Sequence, residues 1–206
     1  MDAVNAYLSL GRQRKQRGKM SSNSREAILA AAKRTAQAHG YGGLNFRDLA
    51  DEVGIKAASI YHYFPSKADL AATVAKRYWQ DSSAALDALL AASSDPLACL
   101  RQYPLTFRTA LENNNRICLC SFMAAEHDDL PEAVQKEVQT FADVNVAWLG
   151  KVLTAAGVVA AKQSEQRARA IFAAVAGAQL MARSRSDISL YDTLIDSYRV
   201  AGLLPK

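Results

Sequence analysis

The chain has few of the residues that mark secreted, disordered or membrane proteins. Its 206 residues include only three cysteines and five prolines, and an odd number of cysteines cannot be fully paired within one molecule. A disulfide-stapled module and a disordered chain are both disfavoured. No stretch approaches the roughly 18 to 20 uncharged apolar residues of a membrane span, and the first twenty residues lack the apolar segment of a signal peptide. These absences predict a cytoplasmic protein.

The charge of the chain is unevenly placed. Half of the residues are hydrophobic, enough to bury a core in one domain or two small ones. The formal net charge is +5. Residues 1–80 hold 13 Lys and Arg against 6 Asp and Glu, a net +7, whereas residues 81–206 hold 12 against 14, a net −2. Such asymmetry is typical of a chain whose one end meets a polyanion, although basic residues can also simply solvate a surface.

Apolar residues recur at three- and four-residue steps from Ser24 onward, which is the spacing of amphipathic helices. No stretch alternates with the two-residue period of a strand, so the chain is predicted to be all-α. Three short helices separated by glycine and proline precede Pro65. Longer helices are expected after it, ending near 92 and then spanning about 96–113, 116–126, 131–156, 164–183 and 189–201.

The most informative stretch runs from Phe46 to Phe64. Leu49 and Ala50 face inward from one predicted helix, and Ala50 is small enough to let the next helix approach closely. Gly54 lies between the two helices, where a residue without a Cβ can turn the chain sharply. This pattern is that of a helix-turn-helix, in which a supporting helix crosses the phosphate backbone and a second helix enters the major groove.

From Ser24 to Leu70 the chain resembles the DNA-binding domain of the tetracycline-repressor (TetR) family of bacterial regulators. The most specific match is the run Ser59-Ile60-Tyr61-His62-Tyr63-Phe64-Pro65-Ser66-Lys67-Ala68-Asp69-Leu70. The other matching pieces are Arg25–Ala32, Gly40-Tyr41, Leu49-Ala50 and Gly54-Ile55. The resemblance implies an N-terminal three-helix helix-turn-helix domain followed by a larger helical ligand-binding and dimerisation domain.

The expected domain boundaries follow from this resemblance. The DNA-binding domain should cover 23–71, with the motif at about 45–64, and the regulatory domain should cover 72–206. Residues 1–22 carry five Lys and Arg among Gln and Gly. They are expected to form a flexible basic segment, either an arm that follows DNA phosphates or a tail without a partner.

The resemblance also implies a set of DNA-contacting residues. Arg47 has the geometry for a bidentate contact to guanine, or it contacts a phosphate. Lys56 stands where the family usually has Ser or Thr, which adds a positive charge near the groove. Ala57 and Ala58 either meet thymine methyl groups or only fill space, and Tyr63 either contacts a phosphate or packs half-buried. The full predicted set is Asn45, Arg47, Lys56, Ala57, Ala58, Ser59, Tyr61, His62, Tyr63 and Lys67.

The helices at 131–156 and 164–183 are predicted to form a homodimer contact. The second carries an apolar stripe that is wider than one core needs and is rich in small residues, namely Ala168, Ile171, Phe172, Val175, Ala176, Ala178, Gln179 and Ala182. Paired with apolar residues of the first helix, it could complete an intermolecular four-helix bundle. The alternative is an ordinary helix pair within one chain.

A small-molecule site is predicted from side chains that mix aromatic bulk with a few polar groups: Phe107, Leu111, Cys118, Phe122, Met123, Trp148, Phe172 and Gln179. Each of these residues is also typical of a core. The run Ile117–Glu126 is similar to the mid-domain helix of one TetR subgroup. This raises the alternative that an electrophile or oxidant modifies Cys118, for which Arg116 is the only cation nearby in sequence.

Together these features predict a sequence-specific DNA-binding transcriptional regulator. It is expected to be a homodimeric repressor that a small-molecule effector releases from a palindromic operator in double-stranded DNA, with no cofactor, metal or membrane partner. The competing class is an all-helical enzyme. The sequence offers that class no pair of carboxylates suited to acid and base, no glycine-rich phosphate loop and no metal-ligand spacing, since the acidic run at His127 is typical of a solvated helix end. No enzymatic activity is therefore predicted.

Overall fold

The computed structural model describes residues 23–206, and all regular structure in that range is helical. The prediction of an all-α protein is confirmed, whereas the predicted basic segment 1–22 lies outside the described residues. No helix of the described part combines the length and apolarity needed to cross a membrane. The helices are α1 (23–39), α2 (Phe46–Val53), α3 (Ala57–Tyr63), α4 (Lys67–Ala92), α5 (Pro96–Glu112), α6 (Leu119–Ala124), α7 (Glu132–Ala155), α8 (Ala161–Arg185) and α9 (Ile188–Val200).

The first three helices begin and end where local signals place them. Gly40 follows α1 with φ +66°, and Gly54 follows α2 with φ +73°, a left-handed conformation that glycine adopts readily. Asn45 begins α2, since its side-chain oxygen accepts a hydrogen bond from the Arg47 amide at 2.8 Å. Ser66 caps α4 in the same way. The first three helices and the start of α4 share a buried core that includes Ile28, Leu49, Ile60, Phe64 and Leu70.

The larger half is built around α7. This helix packs against α4, α5, α6 and α8, while α9 covers α5 and α8. The 26-residue α4 begins directly after α3 and continues into contact with α5, α6 and α7. The same helix therefore connects the small unit of α1 to α3 with the larger half.

The helix predicted over 116–126 is shorter than expected. Asn114 and Asn115 take left-handed backbone conformations, with φ of 56° and 55°. The Cys118 amide donates to the side-chain oxygen of Gln179 at 2.9 Å, so it is bound by α8 instead of by its own helix. Only Leu119–Ala124 is α-helical, and a single 3-10 turn at His127–Asp129 follows it. Long-range contacts thus override the local helical pattern.

The apolar stripe of α8 packs within the chain, which corrects the expectation of an intermolecular seam along it. Its residues Ala168, Ile171, Val175, Ala178 and Ala182 are fully buried, because α8 packs against α5, α7 and α9. A stripe that serves several neighbours must be wide. The large apolar residues that α8 leaves exposed are different ones, Leu180 at 58% and Met181 at 49% exposure.

Candidate nucleic-acid interface and nearby cavity

The residues predicted to contact DNA lie on α3 and at the starts of α2 and α4. Arg47, Lys56, Tyr61 and His62 are exposed. In the described part of the chain, the charged groups of Arg47 and Lys56 have no hydrogen-bond or ion-pair partner. Cations that no carboxylate neutralises are able to bind phosphate or base edges. The surface therefore combines these two cations with exposed aromatic side chains.

Aromatic contacts fix α3 on α2. The ring of Tyr61 packs edge-on against Phe46, with 4.8 Å between ring centroids, while the tyrosine remains 58% exposed. The rings of His62 and Tyr63 lie 5.4 Å apart, also edge-on, and Tyr63 is half-buried. Because Phe46 is buried in the small core, a shift of α2 would carry α3 with it.

Two of the predicted DNA contacts are already engaged with the protein. The Asn45 oxygen caps α2, which leaves its amide N–H groups as its remaining donors. The Lys67 ammonium donates to the Gly42 carbonyl at 3.3 Å and lies 4.4 Å from the centre of the Tyr41 ring. Of the remaining candidates, Ala58 is exposed, while Ala57 and Ser59 are half-buried at the start of α3.

A contact that the sequence did not reveal joins the larger half to the loop between α1 and α2. The carboxylate of Glu126 accepts hydrogen bonds from the amides of Tyr41 at 2.6 Å and Gly42 at 3.1 Å. Some 85 residues separate the partners, so no local pattern could have paired them. The only sequence signal is the acidic residue that ends the subgroup-like run.

Further contacts hold the C-terminal end of α1. Arg183 of α8 donates to the carbonyls of Gln37 and Ala38 at 3.3 and 3.2 Å, and Arg116 donates to the Arg34 carbonyl at 2.5 Å. Cations are favourable at this end of a helix because the last carbonyls are unpaired and the helix dipole is negative there. The larger half thus binds α1 through hydrogen bonds to backbone carbonyls near its C-terminal end.

The eight residues of the predicted ligand site are buried or half-buried in the larger half, and contacts join Phe107 to Phe172 and Gln179 to Phe107 and Cys118. Phe122 and Phe172 are half-buried, and the other six are buried. The Gln179 side chain bridges two backbone segments, since it donates to the Phe107 carbonyl at 2.5 Å and accepts from the Cys118 amide. The indole N–H of Trp148 is buried and has no hydrogen-bond partner among the described residues.

A cavity of about 250 Å³ lies beside this cluster, between α6 and α7. Of the predicted ligand-site residues, it shares Phe172. Most of its walls are apolar, with a few amide, hydroxyl and imidazole groups among them. The cavity is lined by Cys120, Ser121, Ala124, His127, Gln135, Val138, Gln139, Phe141, Ala142 and Phe172.

All three cysteines are buried and unpaired. Burial raises the pKa of the Cys118 thiol, and hydrogen bonds with Ser121 and Tyr78 oppose that shift only in part. Burial also raises the pKa of Cys120 well above its usual range. Since Arg116 is hydrogen-bonded to the Arg34 carbonyl, the cation expected beside Cys118 is engaged elsewhere. Burial therefore keeps the resting thiols of Cys118 and Cys120 protonated.

Comparison with known proteins gives a consistent result. The family model described as bacterial regulatory proteins, tetR family, matches residues 28–74. A TetR-family transcriptional regulator from Agrobacterium tumefaciens is similar in structure, with TM-score 0.80 and 30% identity over 84% of this chain and 94% of that one. A TetR regulator from Legionella pneumophila has TM-score 0.78 and 29% identity, over 82% of this chain and 91% of that one.

The fold is also shared with more distant proteins. The reduced form of NemR from E. coli has TM-score 0.76 over 85% of this chain and 94% of that one, at 21% identity. At that level of identity, the likeness concerns the fold alone. No match was found among curated proteins.

Proposed function

The chain belongs to the TetR family of DNA-binding transcriptional regulators, and from that premise we propose that it is a repressor released from a palindromic operator by a small molecule. The observation that carries this proposal is the surface on α2 and α3. There Arg47 on α2 and Lys56 at the start of α3, which have no charge partner among the described residues, are exposed, as are Tyr61 and His62 on α3. The larger half then supplies the dimer contact and the effector site.

The operator can be isolated by its affinity for the protein. Purified protein is mixed with sheared genomic DNA of its own organism, and the retained fragments are sequenced. We expect a shared palindrome with half-sites about one helical turn apart, or a multiple of it, because the recognition helices of a two-fold dimer enter successive major grooves. Retention of fragments without any shared sequence would contradict the proposal.

Substitution of Arg47 then distinguishes a contact to a base from a contact to a phosphate. If it reads guanine, Arg47→Ala should relax preference at one base pair, with a loss of about 1 to 3 kcal/mol, roughly 5- to 150-fold. If it binds phosphate, affinity should fall for all sequences and the salt dependence should lose about one counterion. Lys136→Ala, at an exposed lysine of α7, is the control and should change neither. An Arg47→Ala protein with unchanged affinity would exclude this surface.

For the dimer we place the contact on the exposed face of α8. Ala173, Gly177 and Leu180 are exposed at steps of four and three residues, and Met181 lies beside them. A Cβ added at Gly177 would meet no atom of residues 23–206 within 4 Å, so a partner helix has room to approach. Leu180→Glu should convert a dimer to a monomer in analytical ultracentrifugation, whereas Leu105→Glu, at a comparably exposed leucine of α5, should not. A dimeric Leu180→Glu protein would contradict this placement.

We place the effector in the cavity between α6 and α7, beside the predicted cluster. Its volume of about 250 Å³ is at the lower end for ligand sites, so the effector is expected to be small and largely apolar. A panel of small phenols and alcohols, tested for operator release and thermal stabilisation, checks this. Ala142→Phe should abolish both effects.

The alternative trigger is covalent modification of Cys118. One observation favours it: the neighbouring Ile117 carbonyl accepts a hydrogen bond from Gln37 of α1 at 3.5 Å, so a bulky adduct on Cys118 would disturb the small unit. Burial of the thiol predicts slow reaction. Hydrogen peroxide and N-ethylmaleimide should release the operator from the wild type but not from Cys118→Ser; release from both proteins would exclude Cys118.

A further inference from the structure

We propose that Glu126 is the positioning residue through which an occupant of the cavity acts on the DNA-reading helices, an inference that rests on the proposed function. Its carboxylate binds two successive backbone amides, those of Tyr41 and Gly42, at 2.6 and 3.1 Å. Hydrogen bonds to a charged acceptor are stronger than those between neutral groups. Glu126 therefore holds the entry to α2 on the larger half.

The loop is shaped to receive this carboxylate. Gly40 has φ +66°, and a Cβ there would lie 2.2 Å from an oxygen of Glu126. The left-handed backbone conformation favours glycine at this position, and a Cβ there would force the Glu126 carboxylate to move. Lys67, at the start of α4, donates to the Gly42 carbonyl of the same loop. Glu126 consequently contacts the segment that joins α1, α2 and α4.

The cavity lies directly beside this contact. Ala124 and His127, on either side of Glu126 in the chain, both line it. Helix α6 has only six residues, and Gln135 of α7 ties the following turn to α7 by donating to the carbonyls of His127 and Leu130. An occupant that spreads α6 from α7 must therefore displace the backbone that carries Glu126.

The displacement reaches the recognition helix through α2. The loop leads into Asn45, which caps α2, and Phe46 of α2 packs on Tyr61 of α3 at 4.8 Å. The hydrogen bonds that Arg116, Arg183 and the Ile117 carbonyl make with the small unit all involve α1. Those contacts fix α1, whereas Glu126 acts on the segment beyond it.

An engineered side chain can replace the unidentified effector in a first test. Ala142 lines the cavity from α7, so Ala142→Phe places an aromatic ring inside it. Ala133→Phe, at an exposed alanine of the same helix that is not among the lining residues, is the matched control. Operator affinity is measured for the wild type, Ala142→Phe, Glu126→Gln and the double variant. Gln139→Trp is a second filling variant should Ala142→Phe not fold.

We expect Ala142→Phe to weaken operator binding at least fivefold in the wild type but less than twofold in the Glu126→Gln background. Equal losses in both backgrounds, or no loss in the wild type, would overturn the role of Glu126. Hydrogen exchange of the Tyr41 and Gly42 amides provides a readout that needs no DNA. Ala142→Phe should accelerate their exchange, and Ala133→Phe should not. If exchange responds but no DNA is bound, the proposed function fails while the link between cavity and loop stands.

Discussion

Two glycines with the same backbone conformation allow the stabilisation by the Glu126 contact to be measured separately from the cost of backbone strain. Gly40 and Gly54 have φ of +66° and +73°, and each ends a helix of the small unit. A Cβ added at Gly54 meets none of the described residues within 4 Å, whereas one added at Gly40 would collide with the Glu126 carboxylate. The variants Gly40→Ala and Gly54→Ala thus share one cost and differ in another.

The shared cost is the left-handed conformation, which an L-residue adopts at about 1 to 2 kcal/mol. Gly40→Ala must also expel the carboxylate of Glu126 and break its two hydrogen bonds. Hydrogen bonds to charged groups contribute about 1.5 to 3 kcal/mol each, but Glu126 is only half-buried and water can replace part of the contact. We therefore expect an additional loss of about 1 to 2 kcal/mol. Gly40→Ala should cost about 2 to 4 kcal/mol in all.

Urea unfolding at one fixed protein concentration measures both losses, since the stability of a dimer depends on concentration. The same two glycine substitutions are also made in the Glu126→Ala variant, which lacks the carboxylate. Without the carboxylate, Gly40→Ala should cost the same as Gly54→Ala. Equal costs of the two glycine variants in the wild type, or an excess for Gly40→Ala that persists in Glu126→Ala, would refute the reasoning.

Three further predictions concern the larger half. Hydrogen bonds from Arg108 lower the pKa of Asp192, so Asp192→Asn should reduce the free energy of unfolding at neutral pH. The loss of stability relative to the wild type should shrink as the pH falls below about 3.9 and through the lowered pKa. Unfolding measured from pH 3 to 7 tests this. Tyr103→Phe should cost about 1 to 3 kcal/mol in urea, because it leaves the buried Asn145 oxygen without its donor at 3.0 Å. Tyr198→Phe, at a half-buried tyrosine, should cost less than about 0.5 kcal/mol. All three cysteines are buried, so a disulfide reagent should modify them no faster than the protein opens, and rapid modification of the native protein would contradict their burial.

The ends of the helices could be predicted from the sequence wherever a capping residue or a glycine sets them. Asn45, Gly54 and Ser66 act on backbone groups within a few residues, so their effect can be derived without the rest of the chain. The short α6 could not be derived in this way. There the Cys118 amide is bound by Gln179, which lies 61 residues away, and local propensity is overridden.

The stripe on α8 shows a second limit of sequence reasoning. An apolar pattern reports that a face is buried but does not identify its partner. The face with Val175 and Ala182 is covered within the chain, while the exposed face with Leu180 interrupts its apolar residues with glycine and polar side chains. A dimer contact on the exposed face therefore gives a weaker periodic signal than the internal core does.

DNA contacts could be proposed from sequence, whereas the Glu126 contact could not, because the two kinds of contact use different groups. Arg47 and Lys56 act through their charged side chains, which can be recognised from the residue type alone. Glu126 binds backbone amides, which every residue except proline supplies, so nothing in the identity of Tyr41 or its neighbour reveals the partner. This division has a functional consequence. Operator preference can change through Arg47 or Lys56 without disturbing the link between the two halves, because that link uses neither side chain.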